Sequence, residues 1–171
     1  MLQSTHKVRL PASFLALVAC AAVFVWKTSQ SLPNVVASHF GASGEANGFM
    51  PREYYVWFML GIVVISPLAL VFLPNKTFRN PYARINLPNR EYWLSPERKV
   101  ETIELLSRQS VRFATMLIIF LCYAHWLVVR ANVMALPSFD TQWFLGGLIV
   151  FLISTLVWMV LLLRHFLHIP R

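Results

Sequence analysis

Acidic residues are scarce in this chain. Asp and Glu number 7 in 171 residues against 15 Lys and Arg, and all charged residues together make up 13 %. That is too little charge to cover an ordinary soluble domain. Cysteine is nearly absent as well. Cys20 and Cys122 both fall inside apolar runs, which excludes a disulfide framework and reads as small packing residues. The chain has no glycine-rich phosphate loop, no His-Glu-x-x-His, no nucleophile elbow and no cysteine pair with zinc spacing. No cofactor is implied.

What the chain has in abundance is apolar length. Hydrophobic residues are 57 % of it, and Leu10–Trp26, Tyr54–Leu73, Phe113–Val129 and Trp143–Leu163 contain no Asp, Glu, Lys or Arg. At about 1.5 Å per residue, helices of this length cross a hydrocarbon core of roughly 30 Å. A soluble fold would have to bury four all-round apolar helices with too little polar chain to cover them. The sequence therefore predicts one all-α, integral-membrane four-helix bundle over residues 1–171. Its spans fall at about 10–26, 51–73, 111–136 and 143–164, with an outside cap over 27–50 and a cytoplasmic loop and helix over 74–110. The missing carboxylates also argue against an ion-coupled transporter.

Positive charge gives the orientation. Lys7 and Arg9 precede the first span. Lys76, Arg79, Arg84, Arg90, Arg98, Lys99, Arg108 and Arg112 lie between the second and third, and Arg164 and Arg171 follow the fourth. Only Lys27, Arg52 and Arg130 fall on the other side. The positive-inside rule puts both termini and the long loop in the cytoplasm of a bacterial inner (plasma) membrane. The net charge of +8 then reflects anionic headgroups rather than nucleic acid. Leu17-Val18-Ala19-Cys20 after a basic start also reads as a lipoprotein signal, whose cleavage would leave a lipidated Cys20 and three spans. The apolar run continues through Trp26, which favours an uncleaved first span.

The outside segment begins with an extended, β-branched stretch, Leu32 to Phe40, and continues with turn formers from Gly41 to Gly48. Asn47-Gly48 is the expected tight turn, with a short strand pair around it. Pro51 is expected as the first helical position of the second span, with Arg52 and Glu53 at the interface and a kink at Ser66-Pro67. His39 and Glu45 share the outside loop, where a structural His39 bonding the turn backbone competes with metal or acid–base chemistry. In the cytoplasmic loop, Pro81 and Pro88 predict irregular chain from Lys76 to Leu94. Ser95-Pro96-Glu97 then predicts a helix start, with Ser95 as N-cap and Pro96 at the first position. Val100, Ile103 and Leu106 give that helix one apolar face, and it runs on into the third span. Inside the bilayer, the hydroxyls of Ser13, Ser66, Thr115, Tyr123, Ser154 and Thr155 can bond their own helices. His125 is the ionisable exception, read either as a neutral imidazole bonded to a neighbouring helix or as part of a proton relay. Gly146-Gly147 offers a close helix contact.

Two stretches carry a family resemblance. Leu32-Pro33-x-x-x-Ala37-x-His39-Phe40-Gly41-x-x-Gly44-x-x-Asn47-Gly48, between a first and second span, resembles a bacterial membrane domain of unknown function. That domain also forms the front part of Sdp-type immunity and signalling proteins, which protect cells from a killing peptide. The resemblance covers roughly Phe14 to Leu73. Ile85 to Arg98, with Asn86, Pro88, Asn89, Arg90, Glu91, Tyr92, Trp93 and Glu97, is similar to a loop of short four-span relatives. The Sdp-type proteins are typically longer and lack it.

Physically, Tyr92 and Trp93 are expected as interfacial anchors, and Arg90, Arg98 and Lys99 as groups that hold an anionic headgroup, small anion or acidic partner. The resemblance and the residues together imply a membrane protein that acts by binding, as an accessory, immunity or sensing component. Its expected partners are membrane lipids and a peptide or membrane protein, with no nucleic acid, and no feature specifies an oligomeric state. One candidate surface is the outside cap, with His39, Phe40, Gly41, Gly44, Glu45, Asn47 and Gly48. The other is the cytoplasmic loop, with Asn86, Pro88, Asn89, Arg90, Tyr92, Trp93, Glu97 and Arg98. The alternatives are a small membrane-embedded enzyme acting on lipid or peptide, with His39, Glu45 or Glu97 as acid or base, and a structural subunit of a larger complex.

Overall fold

The computed structural model describes residues 10–80 and 84–169. Lys7, Arg9, Pro81 and Arg171, which enter the reading above, lie outside the described residues, as does the side chain of Arg79. The order of elements is helix α1 (Ala12–Thr28), strands β1 (Val35–Phe40) and β2 (Ala46–Pro51), then helices α2 (Arg52–Arg79), α3 (Arg90–Trp93), α4 (Lys99–Asn132) and α5 (Thr141–Leu167). Among the described residues, four helices are long and apolar enough to cross a membrane: 12–31, which includes the 3-10 turn after α1, most of α2, and α4 and α5 in full.

Three of these helices share one core. Phe14, Val18 and Val25 of α1 pack with Tyr55, Met59, Val63 and Val71 of α2 and with Ala114, Ile118 and Val129 of α4. The fourth, α5, lies against α4 through aromatic contacts. Phe120 stacks on Phe151 at 4.7 Å and Phe113 on Trp158 at 5.2 Å, while Trp158 Nε1 donates to Gln109 Oε1 at 2.9 Å. Of the Gly146-Gly147 pair, Gly147 provides the close contact, because a side chain there would strike the Tyr123 ring; Gly146 faces open space. Phe166, near its end, is the one buried residue of α5, and no residue along its most apolar stretch is buried. An apolar helix left bare in this way is stable only in a medium as apolar as itself.

Several boundaries differ from the sequence reading. Helix α2 is continuous through Pro67 and Pro74 to Arg79, so part of the expected irregular loop is helical. Pro51 closes β2 and stands at the N-cap position, leaving Arg52 as the first helical residue. Ser95 does not cap α4. Its carbonyl accepts from Arg98 and Lys99 in a turn, and the helix starts at Lys99 with no side-chain cap. Of its expected apolar stripe, Leu106 is buried and Ile103 half-buried, whereas Val100 is exposed and Thr102 is buried in addition.

Strands β1 and β2 form an antiparallel hairpin, with Val36 opposite Met50, Ala37 opposite Phe49, His39 opposite Gly48 and Phe40 opposite Ala46. The turn runs from Gly41 to Glu45, closed by Gly41 N–H to Glu45 O at 2.8 Å. Gly44 has φ +90°, the left-handed region that glycine enters without steric cost. Asn47 and Gly48 therefore lie within β2 and not in the turn. Gly48 is needed for space: a Cβ there would lie 2.8 Å from His39 Cβ, where the ladder is irregular.

Candidate functional site

The hairpin is fixed to the helices by Asn132, the last residue of α4. Ala37 is opposite Phe49, and its own N–H and C=O point away from β2 to the amide of Asn132, at 2.7 and 2.9 Å. Asn132 Nδ2 also bonds Val128 O at 2.9 Å, so the side chain is buried and satisfied. The chain between α4 and α5 completes this end. Phe139 N–H donates to Gly44 O at 2.8 Å, the Phe139 ring stacks on Phe40 at 4.9 Å, and Glu45 bridges to Ser138. His39, Glu45 and Asn47 are exposed, Phe40 and Gly41 are half-buried, and Gly44 is buried against Phe139. The Ser43 hydroxyl and its own backbone amide hold the Glu45 carboxyl below the usual carboxylate range.

The hairpin end also carries a ring of exposed aromatics: Trp26 at the end of α1, Tyr54 and Trp57 at the start of α2, Trp126 near the end of α4 and Trp143 at the start of α5. The Arg130 guanidinium lies 4.8 Å over the Trp126 ring. Amphipathic rings at one level of a helical bundle mark a membrane–water interface.

His125 is fully buried where α1, α2 and α4 meet. Its Nε2 lies 2.8 Å from Thr28 Oγ1 and its Nδ1 lies 2.9 Å from Tyr55 Oη. Proton accounting assigns the roles. The Thr28 hydroxyl donates to Phe24 O at 2.7 Å, so at His125 it accepts. Nε2 therefore carries the proton of the neutral ring, and Nδ1 accepts from Tyr55. The Tyr55 and Phe24 rings pack on the imidazole, with centroids at 5.8 and 6.0 Å. This arrangement joins three helices through one side chain.

At the opposite end, the segment from Arg84 to Arg98 folds over the end of α5. Asn89 adopts φ 50° and its Nδ2 donates to Phe166 O and Leu167 O, both at 3.0 Å. Trp93 Nε1 donates to the same Phe166 O at 2.9 Å. These donors satisfy carbonyls that a helix C-terminus leaves without intrahelical partners. Trp93 is thus turned inward, packed on His165 and Phe166, rather than holding its polar tip in water as an interfacial anchor would. Thr102 Oγ1 donates to Trp93 O at 2.7 Å, and Ser107 bonds Asn75, tying α4 to the segment and to α2. Tyr92 lies under the Arg98 guanidinium at 4.2 Å. Asn86, Arg90 and Glu97 are exposed and Pro88 is half-buried. The Glu97 carboxyl is held below the usual range by its own backbone amide, the Ser95 hydroxyl and the charge of Arg98.

Sequence reasoning missed Asn132, Thr28 and Tyr55, which make the bonds that join the hairpin and the helices. Asn132 offered one signal: an amide at the end of an apolar run, with no turn former beside it. His39 and Glu45 share the hairpin. Among the described residues, no group of three or more His, Cys, Asp and Glu is placed to hold a metal ion.

The architecture is that of a membrane-type helical protein with a hairpin on one end of the bundle. Residues 15–64, covering most of α1, the hairpin and the first half of α2, match the family model described as a domain of unknown function (DUF1648). No curated protein and no solved structure matches the chain.

Proposed function

We propose that this chain is a four-span protein of the bacterial inner membrane that acts by binding, as an accessory, immunity or sensing component. The hairpin faces outward, and both termini and the basic segment face the cytoplasm. The charge asymmetry supports this orientation: Arg84, Arg90, Arg98, Lys99, Arg108 and Arg112 belong to the end away from the hairpin.

The observation that carries the binding role is the bond between Asn132 and Ala37. It makes the hairpin a rigid extension of α4, so that His39, Glu45 and Asn47 form a fixed surface rather than a loose loop. A peptide or partner protein seated there bears on one continuous helix of 34 residues, about 50 Å long. At its far end, α4 is bonded through Thr102 to the segment that holds α5. Occupancy of the outer face is thereby coupled to the basic face.

Capture of the tagged protein in gentle detergent, with bound proteins identified by mass spectrometry, tests the role. A stoichiometric partner that is lost in His39→Ala with Asn47→Ala supports binding through the hairpin. A partner retained by that variant favours a structural subunit docked on the bare face of α5. A chain that captures nothing contradicts both.

A further inference from the structure

Between the hairpin-end turns of α1 and α2 lies an open recess of about 400 Å³, walled by Trp26, Ser29, Arg52, Glu53, Val56 and Trp57. It lies apart from the exposed outer side of the hairpin and from the segment that covers α5. Ser29 is 2 % exposed, and its hydroxyl has no hydrogen-bond partner. That oxygen lies beneath the surface of the recess, so an occupant meets the charged groups of Arg52 and Glu53.

The charges of the recess are matched. Arg52 and Glu53 are successive residues, one cationic and one anionic. Arg52 gives one Nη1 bond to Leu32 O at 3.2 Å and has further guanidinium donors available. Helix α2 begins here after Pro51, with its first amide, Arg52 N–H, bonded to Asn34 O at 2.9 Å, and the positive end of its dipole favours an anion. Trp26 and Trp57 belong to the aromatic ring at this end and are exposed, as rings at headgroup level are. Their faces attract an ammonium group, and the Glu53 carboxylate is beside them. A simple anion or cation matches half of this arrangement. A zwitterion matches all of it.

We propose that the recess holds the headgroup of a zwitterionic phospholipid of the phosphoethanolamine type. Arg52 takes the phosphate, and Glu53 with the Trp57 face takes the ammonium. The acyl chains enter the hydrocarbon layer that Trp26 and Trp57 border. The proposal rests on the membrane-spanning reading and not on any partner of the hairpin, so the two proposals fail separately.

Native mass spectrometry of the full chain, extracted from mixed phosphatidylethanolamine and phosphatidylglycerol, tests it. The wild type retains one phosphatidylethanolamine with a preference of about tenfold over phosphatidylglycerol, the scale of one charge-assisted contact. Glu53→Gln, an isosteric change at an exposed position, abolishes the preference, and Arg52→Gln lowers retention of both lipids. Equal retention by the wild type, or an unchanged preference in Glu53→Gln, overturns the proposal. Free O-phosphoethanolamine distinguishes the source. Lipid that stays bound at an equal concentration of the free headgroup supports the phospholipid, whereas displacement at that concentration assigns the recess to a soluble ligand and overturns it.

Discussion

The side-chain amide of Asn132 and the backbone of Ala37 are bonded in both directions, with Ala37 N–H donating to Oδ1 at 2.7 Å and Nδ2 donating to Ala37 O at 2.9 Å. The amide acts as one residue of a third strand, supplied by the end of a helix. Ala37 is fully buried, so its peptide groups have no access to water in place of Asn132.

Asn132→Ala therefore leaves two buried backbone groups unpaired, at a cost of about 2–4 kcal/mol. Asn132→Leu fills the space without bonding them and is expected to fare no better. Reversible unfolding in detergent measures the loss, and protease cleavage within 35–51 should rise in both variants. A loss below about 0.5 kcal/mol would show that the hairpin holds without the amide.

At His125, the two ring nitrogens serve different helices, with Nε2 toward Thr28 and Nδ1 toward Tyr55. Nitrogen NMR of the labelled chain at neutral pH should report the Nε2-protonated tautomer. Tyr55→Phe and Thr28→Val should each cost about 1 kcal/mol. Because both act through one ring, their double variant departs from additivity by about 0.5 kcal/mol or more. Strict additivity, or the Nδ1-protonated form, contradicts the assigned roles.

Asn89 combines a left-handed backbone with two bonds to the end of α5. Asn89→Gly keeps the backbone and loses the bonds; Asn89→Ala loses both. Hydrogen exchange over 84–98 should accelerate in each, and more in the alanine variant, by the roughly 1 kcal/mol that alanine pays in the left-handed region. Equal acceleration would mean that the bonds alone matter.

The Glu45 carboxyl is held low by the Ser43 hydroxyl. A group whose folded value is depressed contributes stability that is complete above its unfolded value and is lost as pH falls through the folded one. The turn should therefore loosen only on acidification below the usual carboxylate range. In Ser43→Ala, the Glu45 titration, followed by NMR, should move back up toward the ordinary value. No movement would show that the hydroxyl is not the cause.

The four apolar helices were legible because length and the absence of charge suffice to specify them. Contacts made between distant residues were not. Asn47-Gly48 is a strong local turn signal, yet the turn lies at Gly41–Glu45, where Gly44 meets Phe139 from the far side of the chain. Ser95-Pro96-Glu97 has the composition of a helix start, yet α4 begins at Lys99, and its second turn places Thr102 against Trp93 O. The second span is expected to end at 73, but Asn75 is buried and bonded by Ser107, and α2 continues to Arg79. In each case, a partner remote in sequence outweighs a local preference. Trp93 shows the same at the candidate surface: composition makes it an interfacial anchor, while the carbonyl of Phe166 turns it inward.

Orientation is the claim on which the rest depends, and thiol labelling in intact cells tests it most directly. Cys20 and Cys122 are the two native thiols, and both lie within helices, so a Cys20→Ala, Cys122→Ala background is clean. In it, an impermeant maleimide should label Ser43→Cys at the hairpin and spare Glu97→Cys at the basic end until the cells are opened. Labelling of Glu97→Cys with protection of Ser43→Cys would invert the protein in the membrane and contradict the account.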